Sequence, residues 1–85
     1  MRRWVSSVSY RLAVEELVRV RGVAGLSQRA LADRVGKTAS YIAKIEIGER
    51  RLDFVEFIAL CRALDNNPAD LIAVIASKLG PSIDI

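Results

Sequence analysis

At 85 residues, with 52% hydrophobic and 27% charged residues and a formal net charge of +3, the chain has length for one small core, and a single domain over 1–85 is expected. Its longest unbroken apolar run, Leu71 to Ala76, has six residues, against the roughly 20 that cross a bilayer, so no membrane span is expected. The lone Cys61 cannot close an internal disulfide, and no apolar stretch follows Arg2 and Arg3 as a secretory signal requires, which together point to the cytoplasm.

The first nine residues, Met1 to Ser9, hold two arginines, a tryptophan and three serines without sustained periodicity, and residues 1–8 read as a flexible arm. From about Ser9 to Ala24 the spacing turns helical, with Ala13, Val14, Leu17, Val20 and Val23 or Ala24 facing inward and Gly25 closing the helix. Ser27 is placed to cap a second helix that starts at Gln28, with Leu26 and Leu31 as a hydrophobic staple around it. Leu31 and Val35 form its inward face, and Gly36 ends it. Thr38 caps a third helix almost at once; Ile42 and Ile45 share its inner face, and Ala32 lets the two helices approach closely.

Further on, Asp53 and Glu56 have capping-box spacing, and Leu52 is set to staple onto Phe57. The fourth helix should turn Phe57, Leu60, Cys61 and Leu64 inward. Asn66 and Asn67 break it, with asparagine entering the left-handed region where a glycine would be usual. Asn67 also caps a fifth helix that has Pro68 at its first position, runs to Lys78 or Leu79 and stops at Gly80 and Pro81. Residues 81–85 read as a loose tail. The expected fold is all-α with five helices, and no strand pattern or repeat interrupts it.

The order Gln28, Ala32, Gly36, Ile42 and Ile45, followed by Glu46 and Gly48, resembles the helix-turn-helix of the phage-repressor-like (Cro/cI, XRE) family of transcriptional regulators. The likeness extends from about Arg11 to Ile75. It implies a five-helix lambda-repressor-like DNA-binding domain, with double-stranded DNA as partner and the third helix in the major groove. It also implies that Arg21 and Glu46 form an ion pair tying the first helix to the third. Ile47 departs from the family pattern, being apolar where a polar residue is common.

Base-reading positions carried over from the family are Ala39, Ser40, Tyr41 and Lys44. They lack the Arg, Asn and Gln side chains that make bidentate base contacts, so DNA shape should supply much of the selectivity. Lys44 can donate to guanine, Ser40 can meet either base type, and Ala39 or Tyr41 can touch a thymine methyl. Phosphate contacts fall to Gln28, Lys37, Thr38, Arg50 and Arg51, each of which alone would pass as a solvated surface residue. Arg2 and Arg3 are long enough to reach a groove, and a frayed terminus is the plainer reading. The charge distribution agrees: residues 1–51 carry eleven Lys or Arg against five acids, and residues 52–85 carry two against five.

Leu71, Ile72, Val74, Ile75 and Leu79 cover more of the fifth helix than one small core would use, and are expected at a homodimer interface. A two-fold dimer sets two recognition helices about 34 Å apart on a near-palindromic operator, as a repressor would need. The same surface would serve a partner protein in an antitoxin-like role. Catalysis is not expected: the chain has no histidine, Cys61 has no base to activate it, and no phosphate loop or metal-ligand cluster is present, so neither cofactor nor metal is anticipated.

Overall fold

A computed structural model describes residues 7–85 of the chain. The expectation placed on Arg2 and Arg3, and the first six residues of the expected arm, lie outside the described residues. Within them run five helices, α1 (Val8–Val23), α2 (Gln28–Arg34), α3 (Ala39–Glu46), α4 (Phe54–Ala63) and α5 (Pro68–Leu79), and no strand. The fold is all-α.

Each helix starts on a side-chain cap that satisfies a backbone N–H otherwise left without a partner. Ser7, Ser27, Thr38 and Asp53 each accept from the N–H three residues on, and Asn67 accepts from those of Ala69 and Asp70. At α4 the box is complete, because Glu56 returns a carboxylate oxygen to the Asp53 N–H at 2.9 Å. Ser7 corrects the expected arm: residues 7 and 8 already belong to α1, one as its cap and the other as its first turn.

The ends of α1 to α4 share a Schellman motif. In the tight turn after α2, the Lys37 N–H reaches the Ala32 carbonyl at 2.9 Å and the Gly36 N–H reaches that of Asp33 at 3.3 Å. Gly36 takes φ of +69°, which only glycine adopts freely. The same pair of bonds ends α4, where the left-handed residue is Asp65 at φ of +53°, and neither Asn66 nor Asn67 as expected. Aspartate tolerates that region for the same reason asparagine does, a short polar side chain that bonds locally.

Leu17, Val20, Leu31, Ala32, Ile42, Ile45, Leu60, Cys61, Leu64, Leu71 and Ile75 form one continuous core. Leu26, Leu52 and Phe57 pack partly against it, as staples should. The inward stripe of α1 ends at Val20, because Val23 and Ala24 are exposed where the helix runs past the core. Two polar groups add to the expected picture. Glu16, on α1, is buried and bonded to Lys78 of α5 and Arg19, and the Lys78 ammonium holds its carboxyl below the usual range. The tail, expected to be loose, returns to α1: Asp84 accepts from the N–H groups of Val8 and Ser9 at 3.1 and 3.0 Å and from the Ser9 hydroxyl at 2.7 Å. A carboxylate there complements the positive end of the helix dipole.

Candidate nucleic-acid interface

The α2–turn–α3 unit is built from the spacing that defines it. Ala32 has no side chain beyond Cβ and is fully buried, so α2 can lie close to α3, while Ile42 and Ile45 anchor α3 from beneath. Ser40 and Lys44 are therefore left exposed on the outer face, with Ala39, Tyr41 and Ala43 half-buried at its edges. Thr38 spends one lone pair on the Tyr41 N–H at 3.2 Å, and its hydroxyl proton remains available to an acceptor.

The connector after α3 holds its cations in fixed places. Arg51 lies over the Tyr10 ring, 4.3 Å from its centroid, and the Tyr10 hydroxyl accepts from the Leu52 N–H at 2.8 Å, which binds the connector to α1. Arg50 lies over the Tyr41 ring at 4.7 Å, and the Lys37 ammonium approaches the same ring at 5.4 Å. Three of the expected phosphate-contacting residues, Lys37, Thr38 and Arg50, thus gather around the first turn of α3. Arg51 is the next residue along the connector, and its guanidinium lies on Tyr10 of α1.

Glu56 organises that cluster, a role beyond the cap that its spacing announced. Its carboxylate receives Arg50 through two nitrogens at 2.8 and 3.1 Å, the Tyr41 hydroxyl at 2.8 Å and the Asp53 N–H at 2.9 Å. The Arg50 bonds, foremost, and those from Asp53 and Tyr41 hold the Glu56 carboxyl down at about 2. Burial, followed by the carboxylate beside it, pushes the Tyr41 hydroxyl up to about 12. Its single proton is committed to Glu56, so Tyr41 can present to DNA its ring or its oxygen as an acceptor.

At the other end of α3 Arg21 and Glu46 meet. Arg21 donates Nε to Glu46 at 2.6 Å, one terminal nitrogen to Glu46 at 2.8 Å and the other to the Leu26 carbonyl at 2.9 Å, so α1, α3 and the α1–α2 turn share one guanidinium. Gln28 joins this network, because its side-chain amide donates to Glu46 at 2.8 Å. One amide proton of Gln28 is therefore directed inward and away from the expected phosphate contact. Arg34, with no role expected, donates to the Ala63 carbonyl at 2.8 Å and fastens α2 to the end of α4.

The five α5 residues expected at an interface divide. Leu71 and Ile75 close the core of this chain and Leu79 packs partly against it, so these three belong to the fold before any assembly. Ile72 stays 51% exposed and, with Phe54 of α4 at 80%, borders an apolar groove floored by Phe57. Val74 is also exposed but lies two residues on, about 200° round the helix and off that groove. Cys61 is fully buried, and burial pushes its thiol up to about 11, which suits a small core residue.

Comparison with known proteins gives a consistent result. Residues 19–71 match the family model described as helix-turn-helix. Among solved structures, an XRE-family-like protein from Pseudomonas syringae pv. tomato is 34% identical, with 86% of this chain and 88% of that one covered and a TM-score of 0.80. The restriction-modification controller protein C.AhdI from Aeromonas hydrophila is 33% identical over 74% of this chain and 90% of its own, with a TM-score of 0.65. The clp gene regulator ClgR from Corynebacterium glutamicum shares the fold at 20% identity, covering 89% of this chain and 99% of that one with a TM-score of 0.76. A search of curated protein sequences finds no significant match.

Proposed function

The chain belongs to the XRE-type helix-turn-helix family, whose members are DNA-binding transcription regulators and not enzymes, and we propose that this member is a homodimeric repressor of a near-palindromic operator. One observation carries the reading: Ser40 and Lys44 are exposed on α3 while Lys37, Thr38 and Arg50 gather at its start and Arg51 follows Arg50 in the connector. Side chains on the helix reach base edges, and the cations around it grip the backbone on either side. Ala39 and Tyr41 add apolar contact with a thymine methyl. Gln28 serves the backbone with the amide proton that Glu46 does not take. Since no bidentate base reader stands on α3, DNA shape contributes much of the selectivity. The site of action is the cytoplasm, where a promoter is accessible to such a protein.

Homodimerisation is supported by the apolar groove between α4 and α5, with Ile72 and Phe54 exposed at its rim. Two-fold pairing through that face sets both recognition helices on one side of the duplex, about 34 Å apart. Selection of bound fragments from genomic DNA tests the proposal: it should return inverted half-sites with centres one helical turn apart. Failure to enrich any sequence contradicts DNA recognition, and enrichment of isolated half-sites contradicts the dimer. The same groove also favours a second reading, in which a partner protein occupies it and the chain acts as an antitoxin. Pull-down with the products of neighbouring genes separates the two, since that reading requires a stable heteromeric complex.

A further inference from the structure

An acidic side chain within reach of a phosphate-binding cluster opposes DNA binding by simple charge repulsion. Glu56 stands in such a place, beside Arg50 and the first turn of α3. Helix capping explains one of its bonds, the one from the Asp53 N–H, and a glutamine at that position would cap as well. Capping leaves unexplained the two Arg50 bonds and the Tyr41 hydroxyl, which reach the same carboxylate from the connector and from the recognition helix. These are charge-assisted bonds in fixed directions, and Arg50 closes the arrangement by lying on the Tyr41 ring.

We propose that Glu56 is a positioning residue for DNA recognition, setting the Tyr41 side chain and the Arg50 guanidinium in the arrangement that meets the operator. The inference rests on the DNA-binding reading above and adds a residue of the wrong charge for DNA to its machinery. Without the carboxylate, Arg50 keeps its bond to the Arg51 carbonyl at 2.9 Å and its place on the Tyr41 ring but loses both bonds that fix its fork to α4, so it gains freedom that it must give up upon binding a specific duplex. Tyr41 in turn loses the acceptor that fixes its ring. Specific binding therefore weakens although the net charge becomes more favourable to DNA, and that sign separates positioning from electrostatics.

Random-sequence selection with the unaltered protein supplies a defined duplex, and a scrambled duplex of equal composition serves as the non-specific probe. For Glu56→Gln the expected result is about tenfold weaker binding to the selected duplex, with binding to the scrambled one unchanged or up to about twofold tighter. Circular dichroism at the assay temperature confirms that the compared variants are folded. Tyr41→Phe leaves the capping box intact and serves if Glu56→Gln does not fold; it should lose about threefold on the selected duplex alone. A double variant should bind no more weakly than Glu56→Gln by itself. Selected-duplex binding by Glu56→Gln that equals or exceeds that of the unaltered protein overturns the proposal, as does wild-type binding by Tyr41→Phe or strict additivity in the double variant. If the unaltered protein selects no duplex, the DNA-binding reading fails and this inference with it; a sequence selected by the wild type and bound equally by the variants sinks this inference alone.

Discussion

At the end of α3, Glu46 is held by Arg21 and Gln28 with the two ion-pair side chains only 11% and 18% exposed. At the start of α3, Tyr41 reaches Glu56, whose arginine partner Arg50 is 42% exposed and whose own side chain is 21% exposed. Both clusters tie the recognition helix to a neighbour through a carboxylate, yet their settings assign them different work. Withdrawn from water, the first leaves an uncompensated charge inside the fold when either partner is lost. Near solvent, the second contributes less to stability than the first, and its geometry is available to a ligand. On the proposed reading, the ion pair deep in the helix joint serves integrity, and the one at the rim of the surface proposed to face DNA serves recognition.

The largest effect should come from the buried cluster. Glu46→Ala strands Arg21 and removes the acceptor of Gln28, and should lower the unfolding free energy by about 3 kcal/mol in urea titration. A loss under about 1 kcal/mol would place this pair in the same class as the exposed ones. Acid comes next, through the outer cluster. Because Glu56 is lowered from 4.5 to about 2 in the folded chain, its contribution is complete above pH 4.5 and disappears as the pH falls through 2. Stability curves of the wild type and Glu56→Gln should therefore converge as the pH falls across that window; curves that stay parallel would deny Glu56 its bonds.

Asp53→Ala removes the cap of α4 without touching Arg50 or Tyr41, and thermal melting should register about 1 kcal/mol. Its effect on DNA binding should be small at temperatures where the variant is folded. Smallest of all is Arg50→Ala, for which a stability change within about 0.5 kcal/mol is expected by the same melting assay. A large loss would show that the outer cluster, too, is a strut of the fold.

Much of this architecture was legible because it is local. Ser27, Thr38, Asp53 and Asn67 each announce a helix by a side chain two or three residues from the N–H it caps, and Gly36 announces the turn by the φ it can adopt. The capping half of Glu56 was readable for the same reason. Its bonds to Tyr41, fifteen residues away, exist only once α4 has docked beside α3, and no periodicity encodes that docking. Asp84 on the start of α1 and Lys78 on Glu16 lie still further apart, at separations of 75 and 62 residues, so the tail read as loose and Glu16 went unnoticed among its apolar neighbours. Ser7 was hidden by the lack of pattern around it. The apolar residues of α5 could not be sorted from sequence because an apolar residue looks the same whether it closes its own core, as Leu71 and Ile75 do, or faces outward, as Ile72 does.

The central claim is that a basic rim around α3 grips DNA phosphates, and the salt dependence of binding to the selected duplex tests it most directly. Neutralisation of six to eight phosphates per dimer predicts that log affinity falls against log salt concentration with a slope of about −5 to −7. Arg51→Ala should make that slope shallower by about one for each subunit bound. A nearly flat dependence, or a slope unaltered by the loss of Arg51, would contradict the account.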